Sequence, residues 1–129
     1  MQVLIVDDDE LCCTLLREVL RSYGHECTSL HDGEAAWRHL VAQGADVVVS
    51  DWKMPGCTGV ELCERIRAHP EIVQPHFILL TALGGSADVG IAVRAGVDDH
   101  LAKPVDFGQL RERLIAAERA RARKGAAGP

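Results

Sequence analysis

Four short stretches of the sequence hold side chains that could act together on a charged ligand. Asp7, Asp8, Asp9 and Glu10 follow the apolar run VLIV at 3–6, and Ser50-Asp51 follows VVV at 47–49. Thr81-Ala82 follows FILL at 77–80, and Lys103-Pro104 follows the weaker run at 100–102. Gathered in one place, they supply several carboxylates, one hydroxyl and one ammonium. Two carboxylates about 4 Å apart repel by roughly 4 kcal/mol at an effective dielectric of 20, so such a group holds a proton or binds a cation. Ligation by oxygen alone, with room for water, suits Mg²⁺ better than zinc. A lysine beside metal and acids suits an anionic ligand. Each piece taken singly has a plainer explanation. An acid after a strand is a common helix N-cap, which fits Asp9, and a lone Thr or Lys-Pro is ordinarily structural. The chemistry therefore depends on convergence.

Convergence is a question of topology. The apolar runs are too short for helices and rich in aliphatic and β-branched residues, as in strands buried on both faces; a further weak run lies at 26–30. Helical spacing fills the intervals. Leu11, Leu15, Leu16, Val19 and Leu20 share one face of a helix ending near Gly24. Ala35, Ala36, Leu40 and Val41 mark a second helix after Asp32-Gly33, and Val60, Leu62, Cys63 and Ile66 a third that ends before Pro70. A small-residue helix spans 86–95, and Leu110, Leu114 and Ile115 mark a fifth, with Asp106 as its N-cap. This βα alternation predicts an α/β fold: a doubly wound, five-stranded parallel sheet with helices on both faces. Ligands of such sheets bind beyond the carboxyl ends of the strands, where the four stretches lie.

Composition narrows the options. The 129 residues fit one domain, and 47% hydrophobic with 26% charged residues is a globular balance. A net charge of −5 makes the domain a poor binder of the nucleic-acid backbone. Cys12, Cys13, Cys27, Cys57 and Cys63 show neither CxxC nor Cys/His ligand spacing, so they read as reduced thiols of a cytoplasmic protein. The start shows no signal peptide, and no apolar run approaches membrane-spanning length. After about Ala117 the apolar stripe fades into ERARARKGAAGP. The expected organisation is a domain over 1–118, with 119–129 as a helical extension and flexible tail or the start of a linker. Arg119, Arg121, Arg123 and Lys124 read as a solvated face near a helix C-terminus, a contact patch being the alternative.

The succession VLIVDDDE, SDWKMPGCTGVEL, ILLTA and HLAKP resembles the receiver domain of bacterial two-component response regulators, over residues 2–118. Its specific part is D-x-x-M-P-x-x-x-G, from Asp51 to Gly59. The resemblance implies the flavodoxin-like strand order 2-1-3-4-5. It implies Asp51 as phosphoacceptor, Asp8 as a direct Mg²⁺ ligand, Asp7 acting mainly through water, and the Lys53 backbone carbonyl as a further ligand. Thr81 is expected to hydrogen-bond the phosphoryl group. Lys103 is expected to pair with Asp51 and then with a phosphoryl oxygen, with a cis peptide before Pro104. The implied function is phosphorelay signal transduction rather than enzymatic turnover. The phosphoryl group would come from a sensor histidine kinase or a histidine phosphotransfer protein. It would switch the face of the fourth helix, fifth strand and fifth helix, through which a homodimer is also expected. No nucleic-acid binding by the domain itself and no membrane association are implied.

Three positions depart from the family or vary within it. His100 stands where the family usually has Tyr or Phe as the switch partner of Thr81. An imidazole is smaller, more polar and able to charge in the physiological range, so a pH-dependent switch is expected, a solvent-facing bystander being the alternative. Lys53 and Leu83 occupy variable positions that set phosphoryl lifetime. The tail LRERLIAAERARAR resembles connectors to output modules such as diguanylate cyclases. Three rival readings fit less well. In a haloacid-dehalogenase-type phosphatase Asp7 would be the nucleophile, but the chain is short and the usual Thr or Val after the acids is missing. A flavodoxin-like carrier needs a phosphate cradle that the first loop lacks. A receiver-like module that is never phosphorylated leaves the complete Asp, Thr and Lys set without a purpose.

Overall fold

A computed structural model describes residues 1–82 and 86–127, without the side chains of 86, 87 and 124–127. Leu83 lies outside the described residues. The elements alternate as β1 (Gln2–Val6), α1 (Glu10–Ser22), β2 (Glu26–Leu30), α2 (Gly33–Ala42), β3 (Val47–Asp51), α3 (Gly59–Arg67), β4 (His76–Thr81), α4 (Ser86–Ala95), β5 (Asp99–Ala102) and α5 (Phe107–Ala127). All neighbouring strands are parallel, in the order β2-β1-β3-β4-β5, as the resemblance implied.

Side chains two apart along a strand share a face, so each central strand feeds two cores. Leu4, Val6, Val48, Phe77 and Leu79 meet Leu40, Leu62 and Ile66 of α2 and α3. Val3, Ile5, Val49, Ile78 and Leu80 meet Leu16, Leu20, Leu110 and Leu114 of α1 and α5. The edge strand β2 buries none of its residues fully, which explains its weak signal.

The helix starts follow local chemistry. Asp9 Oδ1 accepts from Leu11 N at 3.0 Å and Cys12 N at 3.3 Å. Asp32 Oδ1 accepts from Ala35 N at 2.7 Å, and Asp106 Oδ1 from Gln109 N at 3.1 Å. Thr58 and Glu61 close a reciprocal capping box on α3. Each such cap contributes about 1 kcal/mol. Gly24, one residue past the cap of α1, has φ +91°, a conformation that costs glycine little.

Two expectations are corrected. The buried stripe of α1 is Cys13, Leu16 and Leu20, whereas Leu11 is 79% and Leu15 52% exposed. A thiol takes an inward position that the leucine pattern had assigned elsewhere. Nor is Arg121 on a solvated face. It follows Leu114 and Ala117 at helical spacing, so it lies on the side of the helix that faces the sheet, and its guanidinium reaches Asp46, Nη2 to Oδ1 2.5 Å. The helix itself continues through Ala127.

Candidate functional site

Strand register brings the site together. Val6 lies opposite Ser50, so Asp7 and Asp51 leave adjacent strand ends. Asp51 lies opposite Leu80, and Thr81 opposite Ala102, which sets Lys103 next. Lys103 Nζ is 3.2 Å from Asp51 Oδ2 and 3.4 Å from Asp7 Oδ2. Its backbone N donates to Thr81 O at 2.9 Å, and its peptide bond to Pro104 is cis, as expected.

The three acids differ in their surroundings. Asp7 is buried, and its Oδ1 accepts from Asp9 N at 2.9 Å. Its backbone carbonyl accepts from Cys13 Sγ at 3.3 Å and lies 3.2 Å from His31 Nδ1. Asp51 is partly buried and Asp8 is exposed. One carboxylate oxygen from each of Asp7, Asp8 and Asp51 lies within 4.8 Å of the others. Burial pushes the Asp51 carboxyl above the usual carboxylate range; Lys103 opposes this and the charge of Asp7 adds to it. Burial alone would pull Lys103 down, but Asp7 and Asp51 together outweigh it, and its ammonium is held above the usual lysine range. With three acids against one ammonium, the set carries excess negative charge. A donor set of carboxylate oxygens with an exposed member fits a hard divalent cation such as Mg²⁺.

The loop after β3 explains the glycine in the D-x-x-M-P-x-x-x-G stretch. Gly59 N donates to Trp52 O at 2.8 Å, and a Cβ at Gly59 would collide with the Asp51 carbonyl. Only glycine lets the start of α3 pack this close to the strand that presents Asp51. Lys53 sits in the same loop with its side chain exposed. Thr81 ends β4, 5% exposed. His100 is exposed, at the mouth of a cavity of about 300 Å³ that Thr81, Trp52, Ala92 and Leu101 also line. Asp88 of α4 and Arg113 of α5 are the charged groups at that cavity. Asp7, Asp8, Asp51 and Lys103 thus form one cluster, while Thr81 and His100 border a neighbouring cavity.

Sequence reasoning missed Cys12, which feels the charge of the nearby Asp7 carboxylate. Burial first, then the charge of Asp7, pushes its thiol up to about 12, so it stays protonated at neutral pH. Neither its type nor its spacing marked it, because only the first turn of α1 turns it back toward Asp7.

The same fold recurs in known proteins. The family model described as the response regulator receiver domain matches residues 3–115. The chain is 33% identical over 115 residues to the phosphate regulon transcriptional regulatory protein PhoB of Rhizobium meliloti, covering 89% of this chain and 51% of that protein. It therefore spans about half the length of that relative. It is 32% identical over 116 residues to a chemotaxis protein CheY homolog of Campylobacter jejuni, covering 88% and 89% of the two chains. Among solved structures, the Francisella response regulator 1452 receiver domain superposes with a TM-score of 0.84 at 30% identity, over 92% of this chain and 98% of that one. The fold, and a family match that runs from the first strand into the last helix, make the chain a member of the response regulator receiver domains of two-component signal transduction.

Proposed function

We propose that this receiver domain accepts a phosphoryl group on the Asp51 carboxylate, with Mg²⁺ held by Asp8, Asp51 and the Lys53 carbonyl and with Asp7 acting mainly through water. The observation that carries the reading is the Asp51 carboxylate, which shares an oxygen cluster with Asp7 and Asp8 and lies 3.2 Å from Lys103 Nζ. The relation of Asp7 to Asp51 also weighs against Asp7 as nucleophile. The Asp7 side chain is 1% exposed and both its oxygens are engaged, by Asp9 N and Lys103 Nζ, whereas that of Asp51 is 14% exposed.

In the reaction an Asp51 oxygen forms a bond to phosphorus as the donor's phosphorus–nitrogen bond breaks, and the imidazole leaves. A bound Mg²⁺ supplies charge neutralisation at the phosphoryl oxygens. Asp51 must be ionised to attack. Lys103 holds one of its oxygens beforehand and then turns to a phosphoryl oxygen. Thr81 donates its hydroxyl to another. His100 then moves its ring from the cavity mouth inward, which alters the surface of α4, β5 and α5. Exposed Ile91, Val93 and Ile115 on α4 and α5 support that face as a contact, for a homodimer among others.

The donor is a sensor histidine kinase or a histidine phosphotransfer protein. Its histidine has to reach Asp51, so its surface must cover the rim of the site. Leu11, Leu15, Pro104, Val105 and Phe107 line an apolar cleft beside Lys103, suited to an apolar helical face. The protein acts by protein contact, not by turning over a substrate. Signalling of this kind places its action in the cytoplasm; no helix among the described residues is long and apolar enough to cross a membrane. Residues 1–118 form the phosphoaccepting unit and 119–129 the extension.

Acetyl phosphate with and without Mg²⁺, followed on a phosphate-affinity gel, tests this reading. One labelled species that needs Mg²⁺ and disappears in Asp51→Asn is expected. Labelling retained in Asp51→Asn and lost in Asp7→Asn overturns it in favour of a phosphatase-like nucleophile.

A further inference from the structure

Beyond its buried apolar stripe, two ion pairs among the described residues tie helix α5 to the body, about 12 Å apart along its axis. Near its start, Arg113 Nε lies 3.6 Å from Asp99 Oδ1, with the arginine side chain 46% exposed. Two turns later the contact is closer. Arg121 Nη2 lies 2.5 Å from Asp46 Oδ1, and Nη1 donates to the Asp46 carbonyl at 3.4 Å. Asp46 is built into the sheet. Its Oδ2 accepts from Gln2 N at 2.7 Å, its N donates to Gln2 O at 2.8 Å, and its carbonyl accepts from His76 N at 3.0 Å. The anchor therefore joins β1, β3 and β4 and cannot shift without them.

Past Ala117, the last buried apolar residue of α5 among the described residues, the helix carries no apolar side chain larger than alanine. Hydrophobic burial does little to hold its last turns. Arg121 also separates two clefts at the amino edge of the sheet, one lined by Arg67, Gln74, His76 and Ala120, the other by Gln2, Gln43 and Val73. Its contact can open without uncovering the core. The geometry points to a latch: the Asp46–Arg121 ion pair fixes the distal turns of α5 to the amino edge, and its opening releases them as a basic helical arm carrying Arg119, Arg121 and Arg123. The pair thereby governs whether the end of α5 moves with the domain or independently of it.

Hydrogen exchange read by mass spectrometry on the full chain tests the latch without any phosphodonor. Asp46→Asn keeps an acceptor for Gln2 N but removes the charge, and Arg121→Gln keeps helix propensity. Both are expected to speed exchange of amides 118–127 about threefold to tenfold and to leave the central strands unchanged. Arg119→Gln removes the same charge from an exposed side chain of the same helix and is expected to exchange like the parent. If Asp46→Asn disturbs the strands, Arg121→Gln decides alone. Parent-like exchange in Arg121→Gln, or equal acceleration in Arg119→Gln, overturns the proposal.

Discussion

The two edges of the sheet treat charge in opposite ways. At the amino edge, opposite charges meet. Arg67 donates to Gly96 O, Gln74 Oε1, Pro75 O and Asp98 Oδ2 at 2.9–3.0 Å, and Asp98 also accepts from Phe77 N at 2.8 Å. His76 Nε2 lies 2.8 Å from Asp99, and Arg121 meets Asp46. At the carboxyl edge, Asp7, Asp8 and Asp51 gather around Lys103, and Asp51 is held above its usual range. Charges that satisfy one another tie elements together. Charges of one sign held near one another cost stability and suit a ligand that brings the opposite sign. The same sheet thus has an edge of paired charges and an edge of excess acid, where the candidate site lies.

The difference can be broken most forcefully at Arg67. Arg67→Ala leaves three backbone or side-chain acceptors and Asp98 without their donor. About 2 kcal/mol of stability should be lost in urea unfolding, discounted because the pair is partly exposed. An unchanged midpoint would mean that the amino-edge network is decorative. At the other edge, Asp8→Asn should leave stability nearly unaltered while weakening Mg²⁺ binding about tenfold, through loss of a charged oxygen ligand. Quenching of Trp52, next in sequence to Asp51, reports this. An unaltered titration would make Asp8 a solvated residue.

A change of opposite sign is expected at Asp51 in the metal-free protein. Its folded-state pKa is raised, so the native state holds that proton more tightly than the unfolded state does. Stability is therefore lost as pH rises from the unfolded pKa through the folded one; the penalty is full above that window and absent below it. Asp51→Asn should be more stable than the parent at neutral pH, by less than Arg67→Ala costs, and the gain should vanish in acid. Calorimetry across pH checks this, and a gain that persists in acid would assign the effect to packing. The smallest expected effect is at the cavity between the site and α4. Beryllofluoride with Mg²⁺ should shift the His100 ring resonances, and identical spectra in both states would leave His100 a surface bystander.

The sequence made the acidic carboxyl edge easier to read than the amino edge. VLIV, VVV and FILL are buried on both faces, so their composition marks them as strands, and the residues directly after them make up the candidate site. The half-exposed β2 gives only a weak run. The amino-edge contacts join residues far apart in sequence, as Arg121 and Asp46 do across 75 positions, and no local spacing encodes them. Arg121 looked like one more solvated arginine until the stripe of Leu114 and Ala117 carried it to the sheet. Leu11 and Leu15 looked like core because periodicity reports a helix and not how wide its buried face is. His100 was identifiable as a departure, but its place at the mouth of a cavity with Asp88 and Arg113 required the packing of α4 and α5.

Chemical mapping of the proposed phosphoryl site tests the carboxyl edge most directly. Protein treated with acetyl phosphate and Mg²⁺ is reduced with borohydride, which converts an aspartyl phosphate to homoserine, and its peptides are sequenced by mass spectrometry. The account predicts homoserine at position 51, dependent on Mg²⁺, with Asp7, Asp8 and Asp9 intact. Homoserine at position 7, or equal conversion of Asp51 without a divalent cation, would contradict it.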